Sequence, residues 1–238
     1  GRLLDLMNQR FVKLDAVEFL VLDEADRMLD MGFIRDIRKI VAALPKKRQT
    51  MLFSATMPTE IARLSGDILI DPVRVEVTPQ ATPIESIEQS VYYINSKEKG
   101  GLLSKLLEDK ALNRVIVFTR TKHRANRVAD HLEKTGVSAD AIHGNKSQNA
   151  RQKALQRFRD GQARVLVATD VAARGIDIDG VTHVINYEIP NEPDSYVHRI
   201  GRTARAGASG FAVAFCDSTE RGYLRDIEKL IKRKLAVI

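Results

Sequence analysis

The sequence predicts an α/β protein of two lobes, each a mostly parallel sheet flanked by helices. Three observations predict it. Short apolar runs alternate with amphipathic stretches along the chain, the pattern of parallel strands joined by covering helices. The segment Thr78-Pro79-Gln80-Ala81-Thr82-Pro83 breaks that alternation with two prolines among small polar residues, and so marks a linker. Unusual polar residues follow the apolar runs directly, at the carboxyl ends of strands, where open α/β sheets bind their ligands.

Taken in order, Val17 to Leu22 is a continuous apolar run, read as a buried strand. Phe33, Ile34, Ile37, Ile40, Val41 and Leu44 have helical spacing, and that helix stops at Pro45. Thr50 to Phe53 is the next strand, Thr59 opens a helix running towards Ile70, and Val73 to Val77 reads as the last strand of the first lobe. Beyond the linker, strands are expected at Val91 to Ile94, Arg114 to Phe118, Arg164 to Ala168, Val181 to Asn186 and Gly210 to Phe215. Helices are expected at Lys97 to Leu107, Lys122 to Thr135, Gln148 to Arg159 and Thr219 to Ile231. The implied domains are residues 1–77 and 86–238, with residues 78–85 as the linker.

Composition narrows the function classes. With 44% hydrophobic and 29% charged residues, the 238-residue chain has the make-up of a globular protein. No apolar run approaches the roughly 20 residues needed to cross a bilayer, and no membrane partner is expected. The opening Gly1-Arg2-Leu3-Leu4 lacks the layout of a signal peptide and is expected to start inside a fold. The one cysteine, Cys216, sits at the edge of an apolar run, where it reads as a packing residue. A lone thiol suits a reducing, cytoplasmic setting. Residues 1–76 carry 12 basic and 12 acidic side chains, so the formal charge of +7 resides in residues 77–238. A basic second lobe suits a polyanion such as nucleic acid, or is a solvated surface; charge alone weighs the two equally.

Five strings carry chemistry. Asp23-Glu24-Ala25-Asp26 directly follows the apolar run Phe19 to Leu22. Acids also start helices, where the dipole favours them. Adjacent carboxylates at the end of a buried strand are, however, how many NTPases hold magnesium and orient an attacking water. Ser54-Ala55-Thr56 follows the next strand and reads alone as a helix cap. His198 to Arg205 packs three arginines into seven residues, a phosphate-seeking cluster in which Arg202 and Arg205 share a face if the stretch is helical. Ala168 to Asp177 joins a strand to a loop of small residues, and Asp177 is placed to accept hydrogen bonds from a ribose. Gln148-Asn149-Ala150-Arg151 opens a helix whose amides suit a phosphate. The scattered histidines form no metal constellation, and Tyr92 and Tyr93 read as packing residues.

Val21 to Phe33 with its DEAD string, Ser54-Ala55-Thr56, Val115 to Thr119, Ala168 to Asp177 and His198 to Arg205 together resemble the DEAD-box RNA helicase family in content and order, over essentially the whole chain. His143-Gly144-Asn145-Lys146-Ser147-Gln148 resembles the bacterial RhlE-like branch. The resemblance implies two RecA-like domains that close around ATP and single-stranded or short duplex RNA. Asp23 would hold Mg2+, through water, and Glu24 would position the attacking water. Asp26, Ser54 and Thr56 would couple the nucleotide to RNA. Asp177 and Gly175 would lie at the nucleotide, Gly175 also beside the RNA backbone. Arg202 and Arg205 would reach the γ-phosphate, with His198 bracing the interdomain contact. Gly1, Arg2, Thr119, Arg151, Thr169 and Arg174 would grip the RNA backbone independently of sequence.

The sequence departs from the family in two respects. Ala204 stands where the family has glycine, which is expected to matter little because both are small. No glycine of this chain is followed by lysine, so the phosphate-cradling loop is missing. The first domain is therefore expected to be incomplete, and the chain alone to bind RNA or protein without hydrolysing ATP. A DNA-directed helicase of related architecture is the third reading, which the DEAD and Ser54-Ala55-Thr56 strings disfavour.

Overall fold

The computed structural model describes the whole chain except residue 31, residues 77–85, 174–177 and 179, and residues 205–208, together with the side chains of Arg27, Leu29 and Asp30. It divides into two compact units, Gly1–Val77 and Thr78–Ile238. The expected linker 78–85 falls wholly outside the described residues.

The first unit holds α1 (Arg2–Asn8), β1 (Phe19–Leu22), α2 (Ala25–Asp30), α3 (Ile34–Ala42), β2 (Gln49–Leu52) and α4 (Thr59–Ile68). β1 and β2 pair in parallel, with Phe19 opposite Gln49 and Leu22 opposite Leu52. Side chains alternate across a strand, so Leu20 and Leu22 turn one way and join Ile37, Leu64 and Ile68 in a small core. Phe19 and Val21 turn the other way and are exposed. A run that is apolar on both faces suits a strand covered on both sides; here one face alone is covered. Residues 73–76, expected as a strand, are not one. Val73 and Val75 are 89% and 80% exposed, and the described sheet of this unit contains only β1 and β2. High strand propensity makes no strand without a neighbouring edge to pair with.

The second unit is a parallel sheet in the order β5-β6-β4-β7-β8-β3-β9. Its strands are β3 (Ile87–Tyr93), β4 (Val115–Thr119), β5 (Ala139–Ile142), β6 (Val165–Thr169), β7 (His183–Asn186), β8 (Gly210–Cys216) and β9 (Ala236–Val237). The central β4 and β6 are buried at every position, which explains their unbroken apolar runs. One face is covered by α5 (Lys99–Leu106) and α6 (Lys122–Lys134), packed on Val115, Val117, Val167 and Phe215. The other carries α7 (Gln148–Arg159), α8 (Asp170–Ala173), α9 (Pro193–Ile200) and α10 (Arg221–Ile231). Helix starts are capped where the sequence supplies hydroxyls. Thr121 Oγ1 accepts from the Arg124 amide at 3.2 Å, and Ser147 Oγ from the Ala150 amide at 3.3 Å.

Candidate functional site

In the first unit, β1 and β2 deliver their carboxyl ends side by side. The ladder runs on past both strands: the Phe53 amide donates to Leu22 O at 2.7 Å, and the Ala25 amide to Phe53 O at 3.1 Å. Asp23-Glu24-Ala25-Asp26 therefore emerges against Ser54-Ala55-Thr56. Asp26 is 6% exposed. Its Oδ2 accepts from the Thr56 amide and the Thr56 hydroxyl, both at 2.9 Å. Its own amide donates to Ser54 Oγ at 3.1 Å, and the Ser54 hydroxyl donates to Thr56 O at 2.7 Å. Asp23 stays exposed, with Oδ1 accepting from the Glu24 amide at 2.8 Å. Glu24 has φ of +51°, a region a non-glycine residue enters at a cost of about 1–2 kcal/mol. Such strain concentrates where geometry matters more than stability. Among the described residues no three His, Cys, Asp or Glu side chains form a metal cluster. An exposed carboxylate at a strand end fits Mg2+, which keeps most of its waters and takes one or two carboxylates plus phosphate oxygens.

Gly1 and Arg2 begin α1. The Gly1 ammonium is 3.4 Å from Asp36, and Arg2 donates to Asp5 at 2.7 Å on the surface.

In the second unit, Thr119 and Thr169 are register partners at the ends of adjacent strands. Both are buried, and the Thr119 hydroxyl donates to Thr121 O at 3.2 Å, shaping the turn into α6. Arg151, in the first turns of α7, reaches Gln148 Oε1 at 3.5 Å, while its Nε is buried with no hydrogen-bond partner among the described residues. Arg174, Gly175, Asp177 and Arg205 lie outside the described residues.

The arginine-rich string separates by side-chain direction. Arg199 is 1% exposed. It forks onto Asp170 at 2.7 and 2.8 Å, donates to Asn186 Oδ1 and Glu188 O, and lies 5.2 Å from the Phe118 ring centroid. It is a tie between α9, α8 and β7, and not the phosphate-seeking group expected of that position. The helical spacing Tyr196, Arg199, Ile200, Thr203 carries the signal, since it puts Arg199 on the inward face. Arg202 is half-buried, with Nε 3.3 Å from His198 O. The Thr203 hydroxyl bonds Val181 O and Thr182 O, just ahead of β7. A side chain on Gly210, the first residue of β8, would collide with Thr203. Arg202 to Ala204 thus sits at the amino ends of β7 and β8, one strand length (roughly 15 Å) from Thr119 and Thr169 at the carboxyl ends. Ala204 has φ of +53°. Its difference from glycine is therefore one of backbone conformation, and equal size does not make it neutral.

A buried network that the sequence reading missed ties four strand ends together. Lys99, 1% exposed, donates to Glu220 Oε2 at 2.5 Å and lies 3.2 Å from Asp217. Glu220, fully buried, also accepts from the amides of Ile189 and Asp217 at 3.2 Å. Arg120 bridges Glu220 at 3.4 Å and Glu188 at 3.8 Å. Burial opposes ionisation of Asp217 but is outweighed by the Thr219 hydroxyl and by Lys99, which hold its carboxyl below the usual range. Burial, with Glu220 adding to it, pushes the neighbouring Cys216 thiol up to about 11, which makes it inert. No local pattern marks this network, because its members come from four separate segments.

Adjacent carboxylates at the end of a parallel strand are an arrangement found in many NTPases. The comparisons make the class specific. Residues 1–64 match the DEAD/DEAH box helicase model, and residues 98–207 match the helicase conserved C-terminal domain. The chain is 49% identical to the ATP-dependent RNA helicase CshA of Listeria monocytogenes, over 99% of this chain and 45% of that protein. It is 46% identical to CshA of Bacillus subtilis, over 99% and 48%. The chain spans about half the length of the curated relatives it matches. Among solved structures, S. cerevisiae Dbp5 bound to RNA and ADP BeF3 matches with a TM-score of 0.88 at 32% identity, over 99% of this chain and 63% of that one. E. coli SrmB bound to RraA matches with a TM-score of 0.61 at 38% identity, over 64% of this chain and 90% of that one. The chain belongs to the DEAD-box ATP-dependent RNA helicase family.

Proposed function

We propose that this chain is the part of an ATP-dependent RNA helicase that turns nucleotide state into RNA grip: residues 1–77 as the C-terminal part of one RecA-like domain, 78–85 as the linker, and 86–238 as the second RecA-like domain. The carrying observation is the bonding of Asp26 to Ser54 and Thr56, which makes the carboxylates after β1 and the hydroxyls after β2 one mechanical unit.

In this reading Asp23 holds Mg2+ through water, and Glu24 orients the water that attacks the γ-phosphate. ATP supplies the phosphoryl group, and the ion would neutralise its developing charge. Ser54, Thr56 and Asp26 transmit the state of that site. Arg202 and Arg205 meet the γ-phosphate, His198 bracing them through the turn, and Asp177 and Gly175 lie at the sugar. Arg151, Arg174, Thr169, Gly1 and Arg2 serve the RNA backbone, and Thr119 positions the turn beside it. Contacts to sugar and phosphate leave recognition independent of sequence. Among the described residues no helix is long and apolar enough to cross a membrane; a cytoplasmic setting is part of the proposal. The RhlE-like placement rested on His143 to Gln148 alone. Similarity to CshA over 99% of the chain favours a CshA-like placement.

Glu24→Gln in the longer protein tests the reading. ATP binding should persist while RNA-stimulated hydrolysis falls at least 100-fold; near-normal turnover would refute the role of Glu24. Matched RNA and DNA strands in competition distinguish an RNA helicase from a DNA-directed one. No glycine of these 238 residues precedes lysine. For the chain alone, the reading is accordingly RNA binding without turnover, and robust phosphate release by this polypeptide would overturn it.

A further inference from the structure

The second unit contains a cavity of about 270 Å³ that none of the proposed helicase groups uses. It opens between the start of α5, one face of α6 and Tyr187, which follows β7. Arg124, Arg127, Val128 and His131 line it with spacing that puts them on a single helix face. Lys97 adds a third cation, and no carboxylate is among the lining residues. Among the described residues neither Lys97 nor Arg127 has an ion-pair partner. Arg124 has only a long contact, Nε to Glu188 at 3.6 Å.

The floor of the cavity is the second observation. Tyr187 is 6% exposed. Its ring belongs to the core and packs against Phe215, with centroids 6.0 Å apart. Its hydroxyl has no hydrogen-bond partner among the described residues. It looks onto Gly100, where a Cβ would come within 3.7 Å of it and 3.5 Å of His131 Nε2. The His131 ring is already engaged by Ser104 Oγ at 3.1 Å and Gly100 O at 3.3 Å. The phenol O–H reaches the cavity's solvent and is free to donate to a bound acceptor.

We propose that this cavity is a binding site for a compact phosphate-class anion, held by Arg124, Arg127 and Lys97 at the walls and by the Tyr187 hydroxyl at the floor. Guanidinium forks, an ammonium and a phenol O–H are all donors, which matches a tetrahedral group with several acceptor oxygens. Phosphate can come free, as pyrophosphate or a short polyphosphate, or as part of an RNA backbone. The cavity is smaller than the roughly 300–1,000 Å³ of sites that enclose drug-sized ligands. The Tyr187 hydroxyl lies at the floor of this small cavity, and a phosphodiester flanked by two sugars does not reach it. The free anion is therefore the ligand assigned. Arg124 links the cavity to Glu188, whose Oε2 accepts from the Arg120 amide at 2.9 Å, so occupancy would be felt at the carboxyl end of β4.

Titration of the 238-residue chain with pyrophosphate, followed by calorimetry and amide chemical shifts, tests the site. Shifts should centre on Gly100, Arg127 and Tyr187, and Tyr187→Phe and Arg127→Ser should each weaken binding at least tenfold. Arg202→Gln should change it less than twofold. Tyr187→Phe keeps the ring in the core, and Arg127 is exposed, so neither variant threatens the fold; thermal melts check this. Unchanged affinity in both variants, or shifts centred on residues 198–204, would overturn the site. Displacement of pyrophosphate by a single-stranded RNA oligomer, with the same variants weakening the oligomer, would overturn the assignment to a free anion. Failure of the helicase reading would leave these shifts unaffected.

Discussion

Asp26 and Thr56, thirty residues apart, are joined twice: one carboxylate oxygen takes both the amide and the hydroxyl of the threonine at 2.9 Å. Because the amide after Phe53 and the acid after β1 share this oxygen, movement at one strand end is imposed on the other.

Asp26→Ala removes that acceptor and returns the Thr56 amide to water, a loss of about 1.5–3 kcal/mol for a hydrogen bond to a charged group. Exchange of the Thr56 amide should accelerate at least tenfold, read by hydrogen exchange on the 238-residue chain. Protection equal to wild type would show that the pair transmits nothing.

Ala204→Gly should stabilise the second unit by about 1 kcal/mol, since the backbone there has φ of +53° and glycine adopts that region without a Cβ clash. The expected sign is a higher urea midpoint with an unchanged slope. A lower midpoint would mean that the lost methyl packing against the α9–α10 core outweighs the backbone relief.

Lys99→Met strands two carboxylates beside Cys216, and breaking a buried pair from one side costs about 3–5 kcal/mol. Adding Glu220→Gln should recover part of this, a non-additivity that a double-mutant cycle measures. The pH dependence has a definite sign. The folded Asp217 carboxyl lies below its ordinary value of 3.8, so its contribution is complete above that value. It is lost as pH falls from about 4 through the lower folded value. Acid titration of unfolding in wild type and Asp217→Asn checks it.

Cys216 should resist alkylation in the native chain at pH 8 and react fully in denaturant, as intact-mass analysis would record. Its thiol is raised from 9.0 to about 11. The folded form therefore holds its proton more tightly, and stability from this group declines as pH rises from 9 towards 11.

The two units should differ in persistence. A two-stranded parallel sheet with Phe19 and Val21 exposed is a marginal structure, whereas the second unit closes its core with seven strands. Residues 86–238 expressed alone should melt cooperatively, and residues 1–76 should exchange their amides orders of magnitude faster. Equal protection in both would contradict this.

Much of the second unit was legible in sequence, because β4 and β6 are continuous apolar runs and α6 and α7 carry their caps and periodicity locally. The short β5 and β9 were not, since Ala139–Ile142 is polar at its second position and Ala236–Val237 becomes a strand only by pairing with Ser90 and Val91. Residues 73–76 erred the other way, with strand-like residues but no partner edge.

What the sequence determined by itself was the apolar strands β1, β4 and β6, the helices α6 and α7 and the identity of the strings at the strand ends, since each is written in adjacent residues. Tertiary structure alone decided that Asp26 closes on Thr56 and that Ala204 needs a left-handed backbone. It also decided that Tyr187 brings an unpaired hydroxyl to a basic cavity. Each depends on groups far apart in the chain meeting in a dense interior, where the cost of an unmatched charge or hydrogen bond selects the arrangement.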